Sequence, residues 1–259
     1  MTSLKDSLLA FHEGRNASIA LKYKKMKENP FRYFRGTAFR FYQNSFHERI
    51  VHSPIAHLCG DSHLENFGSF RGENRVVYFD INDFDETCLA PIALEPLRYI
   101  TGLFLACDAN GLNAEDGLSL CHSYINAWFE ELKSGYTRNL ESASARGIIK
   151  EFIENLDARK HKDFIKKKTE KTKMGRKIKV DGVRYQTASE DEVDNVIYSF
   201  RNKENKLDPD FYRVLDVVIR NAGTASLGLK RYLVLIEGTG GSSGNMLIDL
   251  KEAIPTCIP

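Results

Sequence analysis

Four aspartates fall close together in this chain: Asp61, then Asp80, Asp83 and Asp85 at the end of the apolar run Val76-Val77-Tyr78-Phe79. Carboxylates gathered at one place repel one another unless a cation sits among them. A fold that brings these four together must supply that cation, and their oxygens suit a small hard ion such as Mg²⁺.

The first aspartate lies in the loop Gly60-Asp61-Ser62-His63-Leu64-Glu65-Asn66, five residues before an asparagine. Phosphoryl transfer asks a protein for a carboxylate at the attacking hydroxyl, oxygen ligands for the metal and cations for the developing charge. Kinase-like folds place the carboxylate and an Asn ligand five apart on one loop, with a further Asp after a following strand. Asp61 and Asn66 have that spacing, with Asp80, Asp83 and Asp85 as the later metal ligands. Two other readings compete with this one: a different kind of metal site, and a polar turn cluster with no chemistry. His63 either orients the loop through hydrogen bonds or works as a metal ligand or acid–base group. Glu65 and Glu86 read as solvated carboxylates.

The chain has 259 residues, enough for one large domain or two modest lobes, with 42% hydrophobic and 28% charged residues. A net charge of +2 gives no overall field favouring nucleic acid or membrane. Five cysteines without a C-x-x-C pair argue against a zinc ribbon or disulfide framework and fit a reducing cytoplasm. No apolar run is long enough to span a bilayer, and the first residues lack a signal-peptide pattern.

Helical spacing runs through residues 3–28, stopping at Asn29-Pro30, and again from Phe31 to about Phe46. Short strands are expected at Ile55–Cys59, Phe67–Phe70 and Val76–Phe79. Two packed helices broken near Asn110-Gly111 fill Pro91 to Lys133. Residues 158–184 are rich in Lys and Arg: a solvated helix end followed by a hairpin turning at Asp181-Gly182, or a basic surface for an acidic partner.

Strands return at Val214–Ile219, Tyr232–Ile236 and Met246–Leu250. Between the first two lies Gly223-Thr224-Ala225-Ser226-Leu227-Gly228, and Lys251 follows the third. Small residues let backbone N–H groups approach phosphate oxygens, and Lys adds a point charge. Gly223, Ser226, Gly228 and Lys251 are therefore candidate nucleotide-binding residues. Ala225 stands where a glycine-rich loop has its middle Gly, and a meander whose glycines only make turns is the alternative. Arg35, beside Gly36, is a further candidate for phosphate, with an ion pair to an aspartate as the plain alternative.

Gly60-Asp61-Ser62-His63-Leu64-Glu65-Asn66 resembles the H-G-D-x-H-x-x-N motif of aminoglycoside and choline phosphotransferases, with Cys59 in place of the leading His. Together with Phe34-Arg35-Gly36 and Phe79-Asp80-Ile81-Asn82-Asp83-Phe84-Asp85-Glu86-Thr87, it resembles the bacterial family DUF2252 over about residues 25–255. The resemblance implies an α+β, kinase-like fold, circularly permuted. A mainly helical catalytic lobe (1–205) comes first and a partial antiparallel β nucleotide lobe (206–259) last. It implies Asp61 as catalytic base, Asn66 as first metal ligand and Asp83, or Asp80, as the second. It also implies ATP and Mg²⁺ as cofactors and an unknown small-molecule or protein hydroxyl acceptor. Glu95 stands where the family has an Asp that braces the loop, ahead of Arg98. The chain ends eight residues after Lys251, short of the helix that follows in a kinase-like nucleotide lobe. An inactive binding or regulatory module is thus the alternative function, and a metal-dependent phosphoesterase a second alternative.

Overall fold

The computed structural model describes residues 3–14, 18–44, 46–173, 175–201, 208–224 and 226–258. The chain is α+β and divides into two compact units. The first holds residues 20–157 with the segments up to residue 11 and from 253 onward; the second holds 12–19 and 158–252. The expected boundary at 205/206 lies outside the described residues.

The expected helix over 3–28 is two helices, α1 (Leu4–Phe11) and α2 (Ile19–Met26). The stretch after Pro30 is likewise divided into α3 (Pro30–Gly36), α4 (Ala38–Tyr42) and α5 (Glu48–Val51). Asn29 caps α3 by accepting from the Arg32 amide at 2.8 Å, and Pro30 fits the first turn because its missing N–H would have no partner there. Thr37 breaks the helix at φ −133°, ψ 44°, and its Oγ1 donates to Tyr33 O at 2.8 Å.

The strands β1 (Ile55–Leu58), β2 (Phe67–Arg71) and β3 (Val77–Ile81) lie where expected, while β4 (Cys88–Pro91) has no counterpart in the sequence reading. β1 pairs with β4 and β2 with β3, both antiparallel. Two packed helices follow, α6 (Leu94–Ala109) and α7 (Ala114–Ser134), broken at Asn110-Gly111 as predicted. α8 (Gly147–Asp157) lays Ile153 on Val77 and Ala145. A separate core joins Tyr42, Leu58, Ala90 and Leu94 with Ile258, so residue 258 is built into the first unit.

The second unit begins with α9 (His161–Lys168) and the hairpin β5 (Thr169–Thr172) and β6 (Gly175–Ile178). The hairpin therefore turns between Thr172 and Gly175, not at Asp181-Gly182. Asp181 instead closes its own turn, its Oδ1 accepting from the amides of Val183, Arg184 and Tyr185. Then come β7 (Tyr185–Thr187), α10 (Glu190–Arg201), β8 (Val214–Arg220), β9 (Arg231–Ile236), α11 (Gly241–Gly244) and β10 (Met246–Lys251). The antiparallel sheet has the order β10-β9-β8-β7. Along β9, Leu233 and Leu235 enter one core with Ile178, Tyr185 and Val218, while Val234 and Ile236 enter another with Val196 and Val217. Alternation across the pleat explains why this central strand is apolar from Tyr232 to Ile236.

Candidate active site

The site is built on the turn that follows β1. Gly60 has φ +84°, and a Cβ there would collide with the carbonyl oxygen of Glu86; only glycine fits. Its backbone is held from both sides: Tyr42 Oη donates to Gly60 O at 2.5 Å, and Gly60 N donates to Glu95 Oε2 at 3.3 Å. Glu95, on α6, thus holds this turn. Burial raises the Tyr42 hydroxyl well above its usual range, so it remains a donor at neutral pH.

The Asp61 carboxylate receives Arg98 Nη2 through Oδ1. Arg98 is on α6, fully buried, with its guanidinium 4.2 Å from the ring centre of Phe34 and 5.3 Å from that of Phe41. Aromatic faces attract a cation and leave one edge of the guanidinium for Asp61. On its other oxygen, Asp61 Oδ2 is 3.6 Å from His63 Nε2.

His63 is buried and meets Phe31 edge-on. Burial lowers its pKa to about 4 against the pull of Asp61, so the ring is neutral near pH 7. Its Nε2 accepts from Arg35 Nε at 3.2 Å, which fits the orienting role. Arg35, on α3, forms its ion pair with Glu65, not with an aspartate; Arg32 reaches the same carboxylate at 3.2 Å. Glu65 is therefore engaged by two arginines, correcting its reading as a merely solvated group.

Asn66 closes the 3₁₀ turn Leu64–Asn66 and is buried. Its Nδ2 donates to Asp61 O at 3.2 Å, Asp83 O at 3.1 Å and Cys59 Sγ at 3.2 Å. Cys59, in the place of the motif's His, also bonds Asp83 O through Sγ at 3.6 Å, and burial pushes its thiol up to about 12. One amide thereby ties the Asp61 loop to the acidic loop. With Nδ2 committed to two carbonyls, which only accept, Oδ1 faces away, buried and without a partner. Five atoms of this neighbourhood are buried and unpartnered: His63 Nδ1, Asn66 Oδ1, Glu95 Oε1 and Arg98 Nε and Nη1. Buried polar atoms without partners call for an explanation in a ligand, ion or water.

The remaining acidic candidates are less closely drawn in. Asp80, Asp83 and Asp85 are exposed, and Asp80 Oδ1 accepts from the Ile81 amide at 2.7 Å. Among the described residues, no three His, Cys, Asp or Glu side chains gather to hold a metal ion. Were Mg²⁺ to bind, the unpartnered amide oxygen of Asn66 and a carboxylate of the acidic loop, whose backbone Asn66 grips at Asp83 O, would be the oxygens to hold it.

Glu86 is not a free carboxylate. Its Oε2 accepts from Thr256 Oγ1 at 3.0 Å and from the Cys257 amide at 2.6 Å. Since Glu86 O abuts Gly60, the end of the chain, the acidic loop and the Asp61 turn are successive links in one assembly. Arg98 and Glu86 carry more of this site than their sequence positions suggest; a lone arginine inside the apolar helix pattern of α6 was the available signal.

Gly223, Ser226, Gly228 and Lys251 belong to the second unit. Gly223 is exposed at φ +73°, but Ser226 and Gly228 are buried, and Gly228 N donates to Ser18 Oγ at 2.8 Å. That amide is consumed within the fold, so the expected phosphate-facing loop is at best partly open to a ligand. Ala225 lies outside the described residues. Lys251 ends β10, half-buried and opposite Arg231 in register. No helix among the described residues is long and apolar enough to cross a membrane.

Residues 15–259 match a family described as an uncharacterized protein conserved in bacteria, DUF2252. No curated protein and no solved structure matches the chain.

Proposed function

The chain belongs to the DUF2252 family, and on that premise we propose that it is a kinase-like, ATP- and Mg²⁺-dependent phosphotransferase acting on a hydroxyl acceptor, with a circularly permuted order of lobes. The observation that carries the reading is Asn66: a buried amide whose nitrogen joins the Asp61 and Asp83 loops and whose oxygen has no partner. An oxygen desolvated without a partner costs about 1–3 kcal/mol, a cost that a hard cation at Oδ1 removes.

In this reading Asp61 accepts the proton of the acceptor hydroxyl. Arg98 holds that carboxylate in orientation, and neutral His63 flanks its second oxygen. Asn66 and Asp83 hold the metal, with Asp80 and Asp85 as neighbouring carboxylates. Mg²⁺, when bound, neutralises phosphate charge. Arg35, poised between His63 and Glu65, offers its guanidinium to a phosphate oxygen. Of the glycine-rich segment and its neighbours, Gly223 and Lys251 keep their assignment to the nucleotide, since the Gly228 amide is bonded to Ser18 Oγ and Ser226 is buried.

The test is thermal stabilisation by ATP with Mg²⁺, since a ligand bound by the native state alone raises the melting temperature. A rise that Asp83→Ala or Lys251→Ala abolishes supports the reading, and no rise at millimolar ligand rejects it. The second reading, an inactive binding or regulatory module, is favoured by the Gly228 amide already bonded to Ser18. Consumption of ATP by the wild type, lost in Asp61→Asn, rejects that one.

A further inference from the structure

The net charge of +2 conceals two opposite regions. Residues 158–184 hold twelve Lys and Arg against three Asp and Glu, a net of +9, which leaves −7 for the rest of the chain. None of the twelve has a carboxylate within ion-pair distance among the described residues, although the chain has 35 acidic residues to offer. Like charges crowded on α9 and the following hairpin repel one another and destabilise the free surface. The stored repulsion is relieved by a polyanion.

The region also has shape. A cleft of about 550 Å³ runs along one face of α9, lined by Arg159, Lys160, Asp163, Phe164, Lys167 and Lys168. Ile165 on the opposite face is fully buried and anchors the helix. Phe164 is 49% exposed in the middle of this cationic cleft, where no core demands an aromatic ring. The Lys168 ammonium is held by Tyr185 Oη at 3.2 Å, and Lys179 Nζ reaches the carbonyls of Lys166 and Lys167 at the end of α9, so part of the charge is fixed in place.

We propose that this cleft binds single-stranded nucleic acid, with the cations along α9 on successive phosphates and Phe164 under an unpaired base. Cations tracking a backbone beside an exposed ring are what sequence-tolerant single-strand binding requires. An acidic protein would meet the charge but leaves the ring without a base to stack on, and a duplex has its base faces covered.

Fluorescence anisotropy of the full chain with a labelled oligothymidylate of about 15 nucleotides tests this, that being within the usual span of such sites. Binding should weaken with salt, and the triple variant Arg159→Gln/Lys160→Gln/Lys167→Gln, whose side chains are all exposed, should flatten the log–log salt slope by about 2. Phe164→Ala should weaken binding about tenfold while leaving the salt slope unchanged. Both variants must melt with the wild type. No binding at low salt, or binding indifferent to the triple variant, overturns the proposal. So does equal affinity for a poly-glutamate peptide of matched charge, which assigns the surface to an acidic protein, or tighter binding of duplex than of single strand.

Discussion

Arg98 and Asp61 form an ion pair in which the guanidinium is wholly buried and the carboxylate is 13% exposed. Both charges have left water, so each depends on the other more than a surface pair does. Arg98→Met preserves much of the volume against Phe34 and Phe41 but leaves Asp61 unneutralised. The expected cost is about 3–5 kcal/mol, read from urea unfolding at pH 7. Asp61→Asn keeps an acceptor for Arg98 and should cost less. A loss below about 1 kcal/mol for Arg98→Met would place the pair with ordinary surface contacts.

Gly60 predicts a second effect. Its φ of +84° and the Glu86 carbonyl against its Cα leave no room for a methyl group. Gly60→Ala should destabilise the chain by about 2–4 kcal/mol through strain and displacement of the acidic loop. Under the proposed function it should also abolish the ATP-dependent thermal shift. A variant as stable as the wild type would show that the turn adjusts freely.

The return of the chain end to the acidic loop gives a third. Glu86 is the acceptor for Thr256 Oγ1 and the Cys257 amide, and Ile258 is buried with Tyr42, Leu58, Ala90 and Leu94. Glu86→Ala should release the Cys257 amide and speed its hydrogen exchange more than about tenfold, with Gly60 following because its loop loses its neighbour. Ile258→Ala should cost about 2–4 kcal/mol, the usual penalty for emptying a core position. Unchanged exchange at Cys257 in Glu86→Ala would mean that Ile258 alone holds the segment.

These links also mark where the sequence was legible. Strands β2, β3, β8, β9 and β10 were readable because short apolar runs are separated by glycine-containing or polar connections, and the Asp61–Asn66 spacing named both partners of the loop. Local patterns carry no record of contacts between distant residues. The bond of Glu86 to residues 256 and 257, the cage of Phe34, Phe41 and Tyr42 around Arg98, and the capture of the Gly228 amide by Ser18 were for that reason unseen. Strand β4 ends on Pro91 and is only four residues long, too short for a period to show. Thr37 divides α3 from α4 through its backbone angles and a side-chain bond to Tyr33 O, neither of which interrupts the apolar spacing of the phenylalanines around it.

His63 carries the last prediction, on pH. Burial holds its folded pKa at about 4, below the ordinary 6.5. Between these values the unfolded chain binds a proton that the folded chain refuses, so stability falls as pH drops from about 6.5 towards 4. The slope attributable to one such group approaches about 1.4 kcal/mol per pH unit. Carboxylates contribute their own acid loss in the same window, so the quantity to measure is the difference between wild type and His63→Gln. Unfolding free energies of the two should converge as pH falls, because the variant lacks the proton-binding group. If His63 were instead protonated in the fold and paired with Asp61, the wild type would gain on the variant over that range. Chemical denaturation at pH 7, 6, 5 and about 4.5 distinguishes the two, and divergence would assign His63 a charged role beside Asp61.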